Sequence, residues 1–202
     1  MNTDNLSRCD VAIEFTQPES AVDNYIACFE SRVPVVSGTT GWLSQQDEVH
    51  RICQKNNGTF FYASNFSVGV NIFFQINKKL ATLMNAHENY DINMTEIHHL
   101  QKKDAPSGTA ITLADDIIQN IERKESWVND NDQPADNELN IVSKREDRVP
   151  GIHTICYESD VDFIEITHSA KSRKGFALGA VLAAEFCMNN QGLLTMNDLL
   201  KL

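Results

Sequence analysis

Between Glu96 and Ala110 the chain reads EIHHLQKKDAPSGTA, with two histidines and two lysines between His98 and Lys103, directly before Asp-Ala-Pro-Ser-Gly-Thr. Each residue type brings a chemistry. Histidine changes charge near neutral pH and moves protons, and lysine can neutralise an anion or give up a proton. Ser107 or Thr109 can cap a following helix, whose first turn offers N–H groups and the positive end of its dipole to a carboxylate or phosphate. Together these residues describe a pocket for a small anion, with Lys102 or His98 placed to move a proton. Taken singly, a strand histidine, a Lys-Lys pair and a Ser-Gly-Thr cap are ordinary structural features; their contiguity favours a site. The reaction stays open on residue chemistry alone, and a lyase using Lys102 as a Schiff base is also permitted. His98 and His99 are strand neighbours pointing to opposite faces, and no third ligand stands at helical or loop spacing, so no metal is expected.

The rest of the chain is an unexpected setting for a basic cluster. The 202 residues carry 17 Lys and Arg against 28 Asp and Glu, a formal net charge of −11. Nucleic acid and anionic membranes reward a basic face and are not expected partners. Five cysteines, an odd number without a Cys-x-x-Cys pair, fit a reduced, cytoplasmic protein. There is no apolar run of membrane-spanning length and no signal-peptide pattern at MNTDNLSRCD.

Elements that could hold such a site follow from the periodicity. DVAIEF (Asp10–Phe15), VPVVS (Val33–Ser37) and TFFYA (Thr59–Ala63) are short apolar runs suited to buried strands. Helical spacing falls between them, over residues 19–31 and about 44–56. Strand, helix, strand, helix, strand with short loops predicts a parallel sheet covered by helices, whose loops FTQPE, SGTTG and ASNFS open on one edge. A G-x-G-x-x-G turn is absent, since Gly38 and Gly41 do not form one, so the parallel domain reads as incomplete at its start. A long helix is expected over about 70–86, then a strand over DINMTEIHHL, with Glu96 and His98 on one face. A helix follows from Ser107, and the polar stretch KESWVNDNDQPADNE reads as a solvated loop. LNIVSKRE, HTICYES and DFIEITHSAK then supply strands expected to be antiparallel, and GFALGAVLAAEFCMNN a small-residue helix. The fold class is α/β: an incomplete Rossmann-type parallel sheet domain plus an α+β substrate domain with a mixed or antiparallel sheet.

AIEFTQPE, VVSGTTGW, ASNFSVGVN, EIHHLQKKDAPSGTA, RVPGIHT and EITHSAKSRKGFALGAVLAAE, in this order, resemble the 4-hydroxy-tetrahydrodipicolinate (dihydrodipicolinate) reductases of bacterial lysine and diaminopimelate biosynthesis. The resemblance implies reduction of a cyclic, unsaturated dicarboxylate by NADPH or NADH. It gives Lys102 as proton donor and His98 as the catalytic group that orients or polarises the substrate. It makes His99 a substrate contact and has Gly108 and Thr109 hold a substrate carboxylate through their amides. Gly38, Thr39 and Thr40 match one cofactor loop, and Ala63, Ser64, Asn65 and Phe66 another. It further implies a homotetramer, a dinucleotide-binding domain at 1–66 and 174–202, and a substrate-binding and oligomerisation domain at 67–173. The family's opening strand and Gly-rich turn are absent here, and the stretch from RVPG to EITH is shorter than in many members. The alternative is therefore a cofactor-deficient homologue that keeps only substrate binding and self-association.

Overall fold

A computed structural model describes residues 3–202. The chain divides into two compact units, Met1–Asn71 with Lys174–Leu202, and Ile72–Arg173.

The first unit is built on four parallel strands, β1 (Ala12–Glu14), β2 (Val35–Ser37), β3 (Thr59–Tyr62) and β9 (Gly192–Leu194), in the order β1-β2-β3-β9. After the short α1 (Thr3–Leu6), helices α2 (Pro18–Glu30) and α3 (Gln46–Lys55) pack on one face, and α6 (Lys174–Cys187) with α7 (Met196–Leu200) on the other. Both faces of β2 and β3 are covered, which is why these strands read as unbroken apolar runs, whereas Ile13 on the edge strand β1 stays exposed. Neighbouring side chains of β3 separate accordingly. Phe60 packs with Tyr25, Phe29 and Trp42, and Phe61 with Phe66, Ala180 and Ala184. Ring centroids of Phe60 lie 4.9 Å from Tyr25, 5.6 Å from Trp42 and 5.7 Å from Phe29. Burying a ring of that size stabilises by about 3 kcal/mol. Pro18 opens α2, at a position where a missing N–H costs nothing.

Helix α4 (Val68–Met84) carries the chain into the second unit. There a five-stranded mixed sheet has the order β5-β6-β4-β7-β8, from β4 (Asp91–His98), β5 (Ser126–Asn129), β6 (Glu138–Arg145), β7 (Ile152–Glu158) and β8 (Phe163–Ser169). Helix α5 (Gly108–Asn120) lays Leu113 and Ile117 onto Ile92, Met94, Leu139, Ile141, Ile155 and Tyr157.

Two expectations for this unit are corrected. The stretch expected as a solvated loop contains β5, paired in parallel with β6. Its polar residues bond to the chain: Asn129 Nδ2 donates to Ile141 O (2.7 Å), Asn140 Nδ2 to Asn131 O (3.0 Å), and Ser143 N to Asp130 Oδ1 (2.8 Å). Side-chain amides and a carboxylate thus supply pairing in a stretch whose composition suggests a loop. Second, only β7 and β8 are antiparallel as expected; β6 runs parallel to both β4 and β5. The short link from β6 to β7 joins strands on opposite sides of β4, so it is no hairpin. Among the described residues no helix is long and apolar enough to cross a membrane.

Candidate active site

The inner face of β4 runs Ile92, Met94, Glu96, His98, all buried, so an apolar row turns ionisable at its carboxyl end. Pairing brings Glu96 level with Ser143 on β6 and with His153 on β7, and His98 level with Arg145. Glu96 is wholly buried. Its carboxylate accepts Ser107 N at 3.1 Å through each oxygen and Ser143 Oγ at 2.9 Å. His98 Nδ1 stands 3.3 Å from it, Arg145 Nη2 3.5 Å and His153 Nε2 3.8 Å. Burial alone would raise the carboxyl's pKa, yet the donors of His98, Ser107 and Ser143 outweigh it and bring the value to about 2. Glu96 is therefore ionised and surrounded by donors. His153 is pushed the other way: burial first, then the neighbouring His98, lower it to about 4, so the ring is neutral near pH 7. The two imidazoles meet edge to face, centroids 5.1 Å apart at 73°.

Glu96, His98 and His153 also place possible ligand atoms within 4.8 Å of one another, a convergence that spacing along the chain does not reveal. Within the trio the carboxylate's oxygens already accept the Ser107 amide and the Ser143 hydroxyl, while Nδ1 of each histidine has no hydrogen-bond partner among the described residues.

Beyond β4 the chain turns, Lys102 N donating to His99 O at 3.0 Å, and Lys102 Nζ reaches both oxygens of Asp104 at 2.6 Å. Arg145 fixes the same turn by donating to Asp104 O at 2.7 Å. Of the two possible caps the structure uses Ser107, whose Oγ accepts Ala110 N at 3.2 Å and lies 3.2 Å from His153 Nε2. First-turn amides of an α-helix lack an intrahelical acceptor. A side chain built at Gly108 would meet nothing within 4 Å, so this end of α5 is open to an anion. His99 is half-buried on the opposite face from His98, its Nε2 3.4 Å from Arg173 Nη2. The predicted residues His98, Lys102, Gly108 and Thr109 thus fall at one end of one strand–turn–helix segment, with His99 beside it on the sheet's other face. Glu96, Ser143 and His153 were not assigned from the sequence, because only strand register brings them together.

In the first unit, a cleft of about 360 Å³ on the carboxyl edge of the sheet is lined by Phe15, Thr16, Gln17, Pro18, Gly38, Thr39 and Thr40. Glu14 ties its two loops together by accepting Thr16 N at 2.9 Å, the Thr16 hydroxyl, and Ser37 Oγ at 2.7 Å. Burial raises this carboxyl's pKa, but the Thr16 and Ser37 donors outweigh it and leave the pKa below the ordinary value. A Cβ at position 38 would fall 2.2 Å from the Phe15 ring, so glycine lets the two loops close on each other. Ala63, Ser64, Asn65 and Phe66 do not line this cleft, though the Phe66 ring is 5.5 Å from that of Phe15. Glycine, hydroxyls and backbone along such an edge suit a nucleotide's phosphates and ribose. Thr39 Oγ1, buried and without a well-formed hydrogen bond, is a group such a ligand could satisfy.

A parallel sheet with a hydroxyl-lined cleft at its carboxyl edge and a His–Lys–carboxylate cluster on a separate mixed sheet are what an oxidoreductase of the pyridine-nucleotide class requires. The dipicolinate-bound dihydrodipicolinate reductase from Paenisporosarcina sp. TG-14 has the same fold, with a TM-score of 0.76 at 24% identity over 98% of this chain and 77% of that one. Residues 2–66 match the family Dihydrodipicolinate reductase, N-terminus, and residues 69–200 match Dihydrodipicolinate reductase, C-terminus. The 4-hydroxy-tetrahydrodipicolinate reductase of Christiangramia forsetii is 52% identical over 95% of this chain and 79% of its own length. That of Oleidesulfovibrio alaskensis is 38% identical over 94% and 75%. The chain belongs to the dihydrodipicolinate reductase family.

Proposed function

We propose that this chain reduces 4-hydroxy-tetrahydrodipicolinate to tetrahydrodipicolinate with NADPH or NADH, as a cytoplasmic homotetramer. The observation that carries the reading is the placement of His98, Lys102 and the open N-terminus of α5 on one strand–turn–helix segment. A bound nicotinamide supplies the hydride; the chain's residues do the rest. The amides of Gly108 and Thr109 hold one substrate carboxylate, where the helix dipole favours negative charge. Lys102, paired with Asp104 in the free protein, turns to the substrate and delivers the proton that balances the hydride. His98 orients and polarises the substrate, and His99 makes a further contact. Gly38, Thr39 and Thr40, with Ala63 to Phe66, hold the nucleotide, and Phe15 to Pro18 join them because they line the same cleft.

Calorimetric titration of the purified chain with NADPH and with NADH tests the nucleotide half of this reading. An assay of dicarboxylate reduction tests the other half. Replacing Lys102 by alanine should lower turnover by roughly 100-fold or more while nucleotide affinity stays within about twofold. Equal loss of turnover and nucleotide affinity would remove Lys102 from its role.

A further inference from the structure

We propose that Glu96 is the positioning residue of this site: its carboxylate fixes the His98 imidazole in one tautomer and holds the Ser107 backbone, so one buried anion registers the proton-handling ring to the anion-binding helix. This rests on the proposed role of His98 toward the substrate.

The geometry biases the ring. An ionised carboxylate only accepts hydrogen bonds, and Glu96 Oε2 stands 3.3 Å from His98 Nδ1, at ion-pair distance though off the line of a well-formed hydrogen bond. A proton on Nδ1, facing the carboxylate, is therefore favoured over a lone pair there, which leaves Nε2 as the nitrogen turned to the substrate. The chain keeps that second nitrogen uncovered. A Cβ at position 151 would lie 3.0 Å from Nε2 and 3.3 Å from Cδ2, so the glycine there leaves a gap that any side chain would narrow. His153 completes the setting. As a neutral ring it brings no competing cation to Glu96, and Ser107 Oγ, 3.2 Å from its Nε2, links it to the cap of α5. The same carboxylate accepts Ser107 N through both oxygens. A displaced Glu96 would thus shift the imidazole and the first turn of α5 together. A carboxylate serving packing alone would have no such hold on the protonation of His98.

The experiment is ¹⁵N NMR of histidine-labelled protein, wild type and Glu96→Gln, combined with steady-state kinetics. Glutamine has the same shape but replaces one acceptor oxygen with a donor amide, at a place where the Ser107 amide and the Ser143 hydroxyl already donate. The wild type should show neutral His98 protonated at Nδ1, and the variant a mixed or inverted tautomer. Turnover of the folded variant should fall roughly 100-fold, with nucleotide KM unchanged. Wild-type His98 protonated at Nε2 alone overturns the proposal. So does a folded variant whose melting temperature drops while tautomer and turnover stay near wild type. If the variant does not fold, the wild-type spectrum decides. If the wild type fails to reduce the dicarboxylate, the proposed reaction falls, while the tautomer measurement still judges Glu96.

Discussion

At the scale of single residues, the second unit stores charge where acid can reach it. The folded-state pKa of Glu96 is about 2 against an ordinary 4.5, and that of His153 about 4 against 6.5. For His153, the unfolded chain takes up its proton near 6.5 and the folded chain only near 4, so stability is lost as pH falls through that interval. For Glu96, stability present above 4.5 is lost as pH falls toward 2. Each displacement is worth on the order of 3 kcal/mol. Melting temperature should therefore decline in two overlapping steps on acidification, and His153→Gln should shrink the upper one. His168 is shifted in the same direction by burial, so some of that step will remain. An upper step unchanged in the variant would show that His153 is not held neutral. The proposed catalytic pair, His98 and Lys102, could be named from the sequence because both stand within HHLQK. The residues around His98 could not, since Ser143 and His153 reach Glu96 through strand pairing and leave no local spacing to read.

At the scale of elements, close approach explains composition that periodicity cannot. GFALGAVLAAE was legible as a helix, but its small residues gain a reason only from what they touch. A Cβ at Gly179 would lie 1.7 Å from Phe66 O and 2.7 Å from Phe66 C, backbone atoms that cannot swing aside. At Gly175 of the same helix the nearest atom would be Ser67 Oγ at 3.8 Å, an ordinary contact. Gly179→Ala should therefore push α6 off the Ala63–Phe66 loop, costing roughly 1–3 kcal/mol or more and weakening nucleotide binding. Gly175→Ala should do neither. Thermal melts and nucleotide titrations of both variants check this, and equal effects would contradict the stated contact. Strand β5 shows the opposite case, where sequence misleads. SWVN sits in an acidic, Asn-rich stretch, and the side-chain bonds that make its surroundings part of the sheet are specified by residues nine or more positions away.

At the scale of the whole molecule, the fold class was legible from alternating short strands and helices, and the basic cluster stood out because the chain is otherwise acidic at −11. Strand order in the second sheet was less accessible, because link length does not say which side of β4 a strand will take. The first unit also closes late in chain order. β3 takes β9 as its neighbour by pairing Thr59 with Gly192, and Val36 and Phe61 are covered by Ala180, Ala183 and Ala184 of α6. The second unit is a single continuous run. At a synthesis rate of about 5–20 residues per second, the stretch between β3 and β9 takes on the order of 7–27 s to emerge. Val36 and Phe61 stay uncovered until α6 emerges, whereas the second unit has its last residue at Arg173, about 1–4 s before β9 begins. Ribosome-bound chains halted once that unit has cleared the exit tunnel should resist protease over 72–173 before they resist it over 12–62. The order in which the two halves mature is thus written into the strand that comes last.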